Sequence, residues 1–170
     1  PFCFWFGSSD AHRSYAKGSG LKKGKTLEQA EVPGFLPDRE EIRSDLLDYA
    51  FEVERFDDDC GRMLTALEEI GELHNTLVII TSDNGMPFPR AKANCYEFGI
   101  HMPLAIQWPR EFPGGRRLSD LVSFVDLTAT IYEATGCSAP DAFPVVGRSL
   151  VTGLKSDRTG NLNEDRQQIL

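Results

Sequence analysis

The 170-residue chain has no apolar run approaching the roughly 20 residues that a helix needs to cross a bilayer, so nothing in it reads as a membrane span. It is also short of positive charge. Lys and Arg number 18 against 26 Asp and Glu, a net charge of -8, and a chain without a basic surplus is a poor partner for nucleic acid. The acidic excess falls mostly on one helix and reads as a solvated face. Cysteine is sparse: Cys3, Cys60, Cys95 and Cys137 lie far apart, with no C-x-x-C pair and no zinc-type spacing, and they suit burial as small hydrophobes better than disulfides. The glycine-rich stretches have neither Walker nor dinucleotide spacing, and no Ser-His-Asp or Cys-His arrangement is present. An initiator Met and a signal-peptide pattern are missing too, so the sequence says nothing of targeting or of oligomeric state. Its first residues already read as a core strand, and the chain is expected to be a piece of something longer.

What is present is the composition of a soluble globular domain, 41% hydrophobic and 26% charged, at a length that can bury a core. Phe2 to Phe6 is a fully apolar run suited to a buried strand. Ser8 to Pro37, rich in Gly and Pro, has no sustained period and reads as a long loop of the kind that is functional or disordered. Asp38, three before Glu41, resembles a capping-box start. From there Ile42, Leu46, Tyr49, Val53, Phe56, Cys60, Met63, Leu67 and Ile70 form one helical stripe that stops at Gly71. The opposite face carries Glu40, Arg43, Glu54, Asp58, Arg62 and Glu69. The β-branched run Thr76 to Thr81 and the run Pro103 to Trp108 are strand-like, and a helix from about Asp126 stops at Gly136. The order strand, helix, strand, strand, helix is α/β. The domain is expected over 1–154, with 155–170 a polar, loop-like tail that nothing in its composition fixes.

Three short stretches could carry chemistry. The strand TLVIIT runs into Asp83-Asn84-Gly85, a carboxylate and an amide carbonyl side by side, both hard oxygen donors suited to Ca²⁺ or Mg²⁺ and placed at a strand's carboxyl end, where ligands gather in open α/β sheets. The same tripeptide equally suits a plain Asx turn. His12, in SSDAHRSY, would lie just after the first strand, where an imidazole can give a proton to a leaving oxygen, or simply be solvated. Arg90 and Lys92, on a loop stiffened by Pro87 and Pro89, could grip an oxyanion or belong to a charged surface.

Taken as longer strings, FGSSDAHRSY, RSDLLDYAFEVERFDDDCGRMLTALEEIGELHNTLVIITSDNGMPFPRAKANCYEFGIHMPLAIQWP, SFVDLTATIYEATG and VVGRSL resemble successive blocks of the sulfatase family, within the alkaline-phosphatase-like superfamily. The resemblance reaches to about Leu154, and its SDNG-x-PFP run is shared with the heparan N-sulfatase (sulfamidase)-like branch. It implies a mixed, largely parallel sheet flanked by helices, of which this chain holds the carboxyl-terminal part. It also implies that Asp83 and Asn84 ligate one Ca²⁺, that Lys92 contacts the substrate's sulfate with Arg90 nearby, and that His12 matches the histidine of a D-P-H motif beside the leaving oxygen. Gly147-Arg148-Ser149-Leu150 matches a block taken as structural.

Ala11 stands where the family usually has Pro, and Ser14 where a second Pro is common; both changes bear on loop stiffness alone. The larger departure is the missing C/S-x-P/A-x-R motif, from whose Cys or Ser the family makes its formylglycine nucleophile. The residues after Cys3, Cys60, Cys95 and Cys137 do not fit it. The nucleophile and the first pair of aspartates are expected upstream of this block, so the chain alone is expected to be inactive. The intact protein is expected to hydrolyse sulfate esters or N-sulfate groups of a small molecule or glycan, in a secreted, periplasmic or lysosomal setting. A phosphodiesterase or phosphonate monoester hydrolase of the same superfamily, and a non-catalytic calcium- or anion-binding fragment, stand as alternatives.

Overall fold

A computed structural model describes residues 2–142 and 144–169. Along them run α1 (Ser19–Lys22), a 3₁₀ turn at Leu27–Gln29, α2 (Glu40–Glu69), a second 3₁₀ turn at Leu73–Asn75, β1 (Val78–Thr81), α3 (Glu97–Ile100), β2 (Leu104–Gln107), α4 (Phe124–Thr135) and α5 (Val151–Lys155). β1 pairs with β2 in a two-stranded sheet. No helix among the described residues is long and apolar enough to cross a membrane. The chain divides into two compact units, Pro1–Glu72 with Ile79–Ala105, and Leu73–Val78 with Ile106–Leu170.

The first unit is built on α2, whose 30 residues span about 45 Å at 1.5 Å each. Asp38 does not cap it, contrary to the sequence pattern. Its carboxylate is taken instead by Arg43, at 2.5 Å from Nε and 2.7 Å from Nη2, and Arg39 occupies the N-cap without a side-chain bond. The helix ends as expected, at Gly71 in the left-handed region (φ 75°), where Gly71 N–H reaches the Glu68 carbonyl and Glu72 N–H that of Leu67, a Schellman closure. The apolar stripe is only partly covered: Leu46 and Cys60 are buried, as is Leu47 beside them, while Val53 and Ile70 are exposed.

Beside the stripe lie two buried acids, Asp48 and Glu52, that organise the Gly/Pro-rich stretch. Asp48 accepts from Gly18 N (2.8 Å), Gly20 N (2.9 Å) and Ser19 Oγ (3.3 Å), which satisfies the first amides of α1. Glu52 holds Arg55 at 2.8 Å, and Arg55 reaches Asp10 at 3.1 Å. The close approach of α1 to α2 needs Gly20, because a Cβ there would stand 2.4 Å from the Leu47 carbonyl oxygen. Residues 10–30 are therefore anchored by α2, not loose.

The apolar amino-terminal run departs from its expected role. Phe2–Phe6 forms no strand and stays exposed, with Trp5 90% accessible, although Phe6 stacks on Phe56 at 6.2 Å. A strand buried on both faces needs strand neighbours and covering layers, and the described residues supply none to this run. Nor are the cysteines uniformly buried. All four are free thiols, and only Cys60 is covered.

The second unit packs Phe112, Val151 and Leu154 together, with Leu77, Ile106, Trp108, Leu118, Ala134 and Leu150 around them. α4 starts at a reciprocal capping box between Ser123 and Asp126 and stops at Gly136 (φ 68°), close to the bounds the sequence suggests. The VVGRSL block folds against it: a Cβ on Gly147 would lie 2.0 Å from the Val125 carbonyl oxygen, Arg148 N–H donates to Asp126 Oδ1 at 2.8 Å, and Leu150 N–H to Thr130 Oγ1 at 2.9 Å. Beyond α5 the polar stretch is held down. Arg116 donates to the carbonyls of Leu154 (2.5 Å), Ser156 and Arg158 (3.2 Å). Asp120 accepts from Leu162 N (3.0 Å) and Asn163 N (2.6 Å), and Arg166 pairs with the fully buried Asp126 at 2.6 Å.

Candidate functional site

His12 lies in a tight turn in the first unit. Ser8 Oγ and Asp10 bond each other, at 2.9 Å to the carboxylate and 3.1 Å from the Asp10 N–H, and His12 N–H closes onto the Ser9 carbonyl at 3.0 Å. The ring is exposed, and its Nδ1 faces the Arg13 carbonyl oxygen. A carbonyl can only accept, so Nδ1 carries the hydrogen, which leaves Nε2 to take up or give a proton. In that tautomer Nε2 is the ring nitrogen left open.

Arg13, next in the chain, is engaged on every side. Its Nη1 and Nη2 grip the Asp45 carboxylate of α2 at 3.0 and 2.6 Å, and its Nε donates to the Pro87 carbonyl at 2.9 Å. The guanidinium lies over the Phe88 ring at 4.6 Å and the Tyr15 ring at 5.0 Å. The hydrogen bonds to Asp45 hold its pKa above the ordinary arginine value against the opposing effect of burial. Burial pushes the Tyr15 phenol up to about 12 despite the nearby Arg13 charge, so it stays a neutral donor.

The second segment leaves β1 at Thr81, whose hydroxyl donates to the Pro103 carbonyl at 2.8 Å. Ser82 Oγ donates to the Asn84 carbonyl (2.8 Å), and Asn84 Nδ2 to that of Gly85 (2.9 Å), which leaves Asn84 Oδ1 open as an oxygen donor. Asp83 is exposed, and among the described residues its carboxylate has no hydrogen-bond or ion-pair partner. Gly85 is dictated by space: a Cβ would sit 1.8 Å from the Phe98 carbonyl oxygen, and one on Gly99 2.4 Å from that of Ala91. The loop then folds on itself, with Met86 O accepting from Phe88 N (2.8 Å) and Lys92 N (3.1 Å), while Phe88 and Ala91 are buried as its pins. Lys92 is half-buried, and its ammonium has no protein partner among the described residues. Arg90, at φ 63°, instead lies over the Tyr96 ring at 5.1 Å.

Asp83, Asn84 and Lys92 therefore share one rigid segment, and the Arg13–Pro87 bond ties the His12 turn to it. Asp83 and Asn84 fit Ca²⁺ in kind, as a free carboxylate and an unpaired amide oxygen, but not in number, since the ion takes six to eight oxygens and the described residues hold no cluster of three or more acidic, His or Cys ligands. Arg90 is exposed and lies against the Tyr96 ring on the same segment. Arg13 and Asp45 went unassigned in the sequence. The usable signal was Asp45, Asp48 and Glu52 at helical spacing beside the apolar stripe.

Comparison with known proteins adds to this geometry. A family model described as Sulfatase matches residues 1–137. Human N-sulphoglucosamine sulphohydrolase is 35% identical over 134 residues, covering 74% of this chain and 27% of that protein. The N-acetylglucosamine-6-O-sulfatase of Bacteroides thetaiotaomicron is 33% identical over 114 residues, covering 65% of this chain and 20% of its own length. A solved structure described as a complex with its substrate D-glucosamine-2-N,6-O-disulfate superimposes with a TM-score of 0.60 at 30% identity, over 73% of this chain and 25% of that one. The chain thus spans about a quarter of the length of the relatives it matches. With the matched range taking in both the His12 turn and the Asp83–Lys92 loop, the chain belongs to the sulfatase family.

Proposed function

We propose that the whole protein is a sulfuric ester hydrolase acting on sulfate esters or N-sulfate groups of sulfated sugars. The observation that carries this reading is the pairing of an unpartnered lysine with two open oxygen donors on one locked loop, inside a chain matched by the sulfatase model over 1–137. In this reading Asp83 and Asn84 Oδ1 hold Ca²⁺ together with donors from elsewhere in the protein. The ion supplies Lewis-acid stabilisation of sulfate charge, and a formylglycine from elsewhere in the protein supplies the nucleophile.

The residues of this chain bind and protonate. The Lys92 ammonium holds a sulfate oxygen, and its lack of a protein partner leaves it free for that anion. His12, with Nδ1 committed to the Arg13 carbonyl, delivers a proton from Nε2 to the departing oxygen or nitrogen. Arg90 stands at the loop's edge as a further contact for a sugar or sulfate group. In the intact domain β1 and β2 belong to a larger, mostly parallel sheet flanked by helices. Support for that comes from the superposition on a sulfatase-like neighbour four times the matched length.

The test is release of inorganic sulfate by the full-length protein from D-glucosamine-2-N,6-O-disulfate and from 4-nitrophenyl sulfate, with 4-nitrophenyl phosphate alongside. Sulfate release that falls on chelation of calcium is expected. Faster hydrolysis of the phosphate would assign the protein to the phosphoesterases of the superfamily, and no turnover of any ester would leave a binding role.

A further inference from the structure

We propose that Arg13 is a positioning residue that sets the reach of His12 by clamping its turn to the Asp83–Lys92 loop; the proposal rests on the sulfatase reading above. His12 is bracketed on both sides. Before it, the Tyr15 hydroxyl donates to the Ala11 carbonyl at 3.2 Å; after it, Arg13 is fixed to Asp45 and to the Pro87 carbonyl. Pro87 lies three residues beyond Asn84 and five before Lys92, so this one hydrogen bond spans the two candidate segments. Asp45 adds a rigid reference, because it stands on the second turn of the longest helix.

Simple stability is a weak reason for this arrangement. An ion pair as exposed as this one, with side chains 40% and 35% accessible, contributes little to stability. Its geometry is richer than such a contribution requires. All three nitrogens of one guanidinium donate, and it also lies over the rings of Phe88 and Tyr15, which each pack on Tyr49 at 5.9 and 6.2 Å. The planar fork of arginine can hold a carboxylate and a carbonyl while lying over aromatic rings, and a lysine ammonium cannot. A small misplacement of a proton donor is costly when the leaving group depends on it. The clamp therefore acts where protonation matters.

The experiment uses the full-length protein with Arg13→Lys, Arg13→Ala and Asp45→Asn, and a series of aryl sulfates whose phenols differ in acidity. With 4-nitrophenyl sulfate, whose leaving group departs without a proton, kcat is expected to fall less than about threefold. With phenyl sulfate it is expected to fall about 10- to 100-fold, a partial loss of the roughly 100- to 10,000-fold that general acid catalysis supplies, at nearly constant KM. His12→Ala should show the same leaving-group dependence, and adding Arg13→Lys to it should cost little more. A uniform loss across the series, or none, overturns the proposal.

Amide hydrogen exchange gives a readout independent of turnover. In Arg13→Lys and Asp45→Asn, exchange is expected to rise together in peptides covering residues 9–16 and 84–93 while residues 55–69 of α2 stay unchanged. An increase confined to residues 9–16 overturns the clamp. If the wild type cleaves no sulfate ester, the sulfatase reading fails and exchange alone decides whether Arg13 couples the two segments.

Discussion

Replacing Asp126 by Asn should destabilise the second unit by about 3 kcal/mol, and the reason lies in how its two oxygens are used. Oδ2 accepts from Ser123 N at 2.7 Å and Arg166 Nη1 at 2.6 Å; Oδ1 accepts from Arg148 N at 2.8 Å and Arg166 Nη2 at 3.4 Å. The side chain is fully buried. An amide keeps one oxygen and turns an NH₂ toward donors that need an acceptor, so a backbone N–H goes unpaired at about 1 to 3 kcal/mol and Arg166 loses a charged partner worth about 1.5 to 3. Removing one member of a buried ion pair costs about 3 to 5 kcal/mol. Arg166 is 12% accessible and recovers part of its hydration by turning outward, which places the expected loss near the lower end, about 3 kcal/mol.

Urea unfolding followed by tryptophan fluorescence reads this loss. Of the two tryptophans, Trp108 belongs to the unit concerned and Trp5 is already 90% exposed, so Trp108 dominates the change. With a slope of about 2 kcal/mol per molar urea, the midpoint should drop by about 1.5 M. The exposed Asp141→Asn serves as control, with an effect within about 0.5 kcal/mol. The difference should also depend on pH. Burial alone would raise the Asp126 pKa, but the bonds from Arg166, Ser123 N and Arg148 N outweigh it and hold the carboxyl below its usual range. Such a depressed group gives its full stabilisation above the unfolded pKa of about 3.9 and loses it as pH falls through the folded value. The gap between wild type and variant should hold at neutral pH and close in strong acid. A loss under about 1 kcal/mol at pH 7, or one that does not shrink in acid, refutes the reasoning.

Three other outcomes are expected. Gly85→Ala should lower the melting temperature and disorder the Asp83–Lys92 loop, since its methyl group would meet the Phe98 carbonyl; an unchanged melting curve would count against the close approach. Tyr15, with its folded pKa raised to about 12 by burial, should make stability fall as pH rises from about 10 through 12, and Tyr15→Phe should flatten that slope in alkaline denaturation measurements. In the full-length protein His12→Ala and Lys92→Ala should each reduce turnover of the true substrate about 100-fold or more while leaving the melting temperature in place, and unchanged kinetics in both would remove their assigned roles.

The regular elements were legible because their signals are local. The four-and-three stripe of α2 and the Gly136 stop of α4 depend on residues within a few positions, and the β-branched run at Val78–Thr81 on its own composition, whereas the Ser123–Asp126 box that starts α4 was not read. That Asp83, Asn84 and Lys92 stand on one segment could be read for the same reason, as they share ten residues of chain. Phe2–Phe6 was misread as a buried strand because hydrophobicity states what a segment can do once neighbours cover it, and coverage is not written in five residues. The role of Arg13 was hidden differently, since its partners stand 32 and 74 positions away. The polar stretch after Leu154 looked loose for a similar reason: Arg116, Asp120 and Asp126 hold it from about 40 positions upstream.

The carboxylates of Asp45, Asp48 and Glu52 bear on the order in which the chain acquires its shape. α2 closes by contacts among near neighbours, a process of about a microsecond for an isolated helix. The His12 turn and α1 are expected to dock on it afterwards by closing loops of about 30 residues, against an entropy that no single one of their polar contacts offsets. The arm that bears His12, anchored as it is in the finished fold, is therefore expected to be among the last parts to settle and the first to open. Its amides are expected to exchange well before the interior of the helix that carries them.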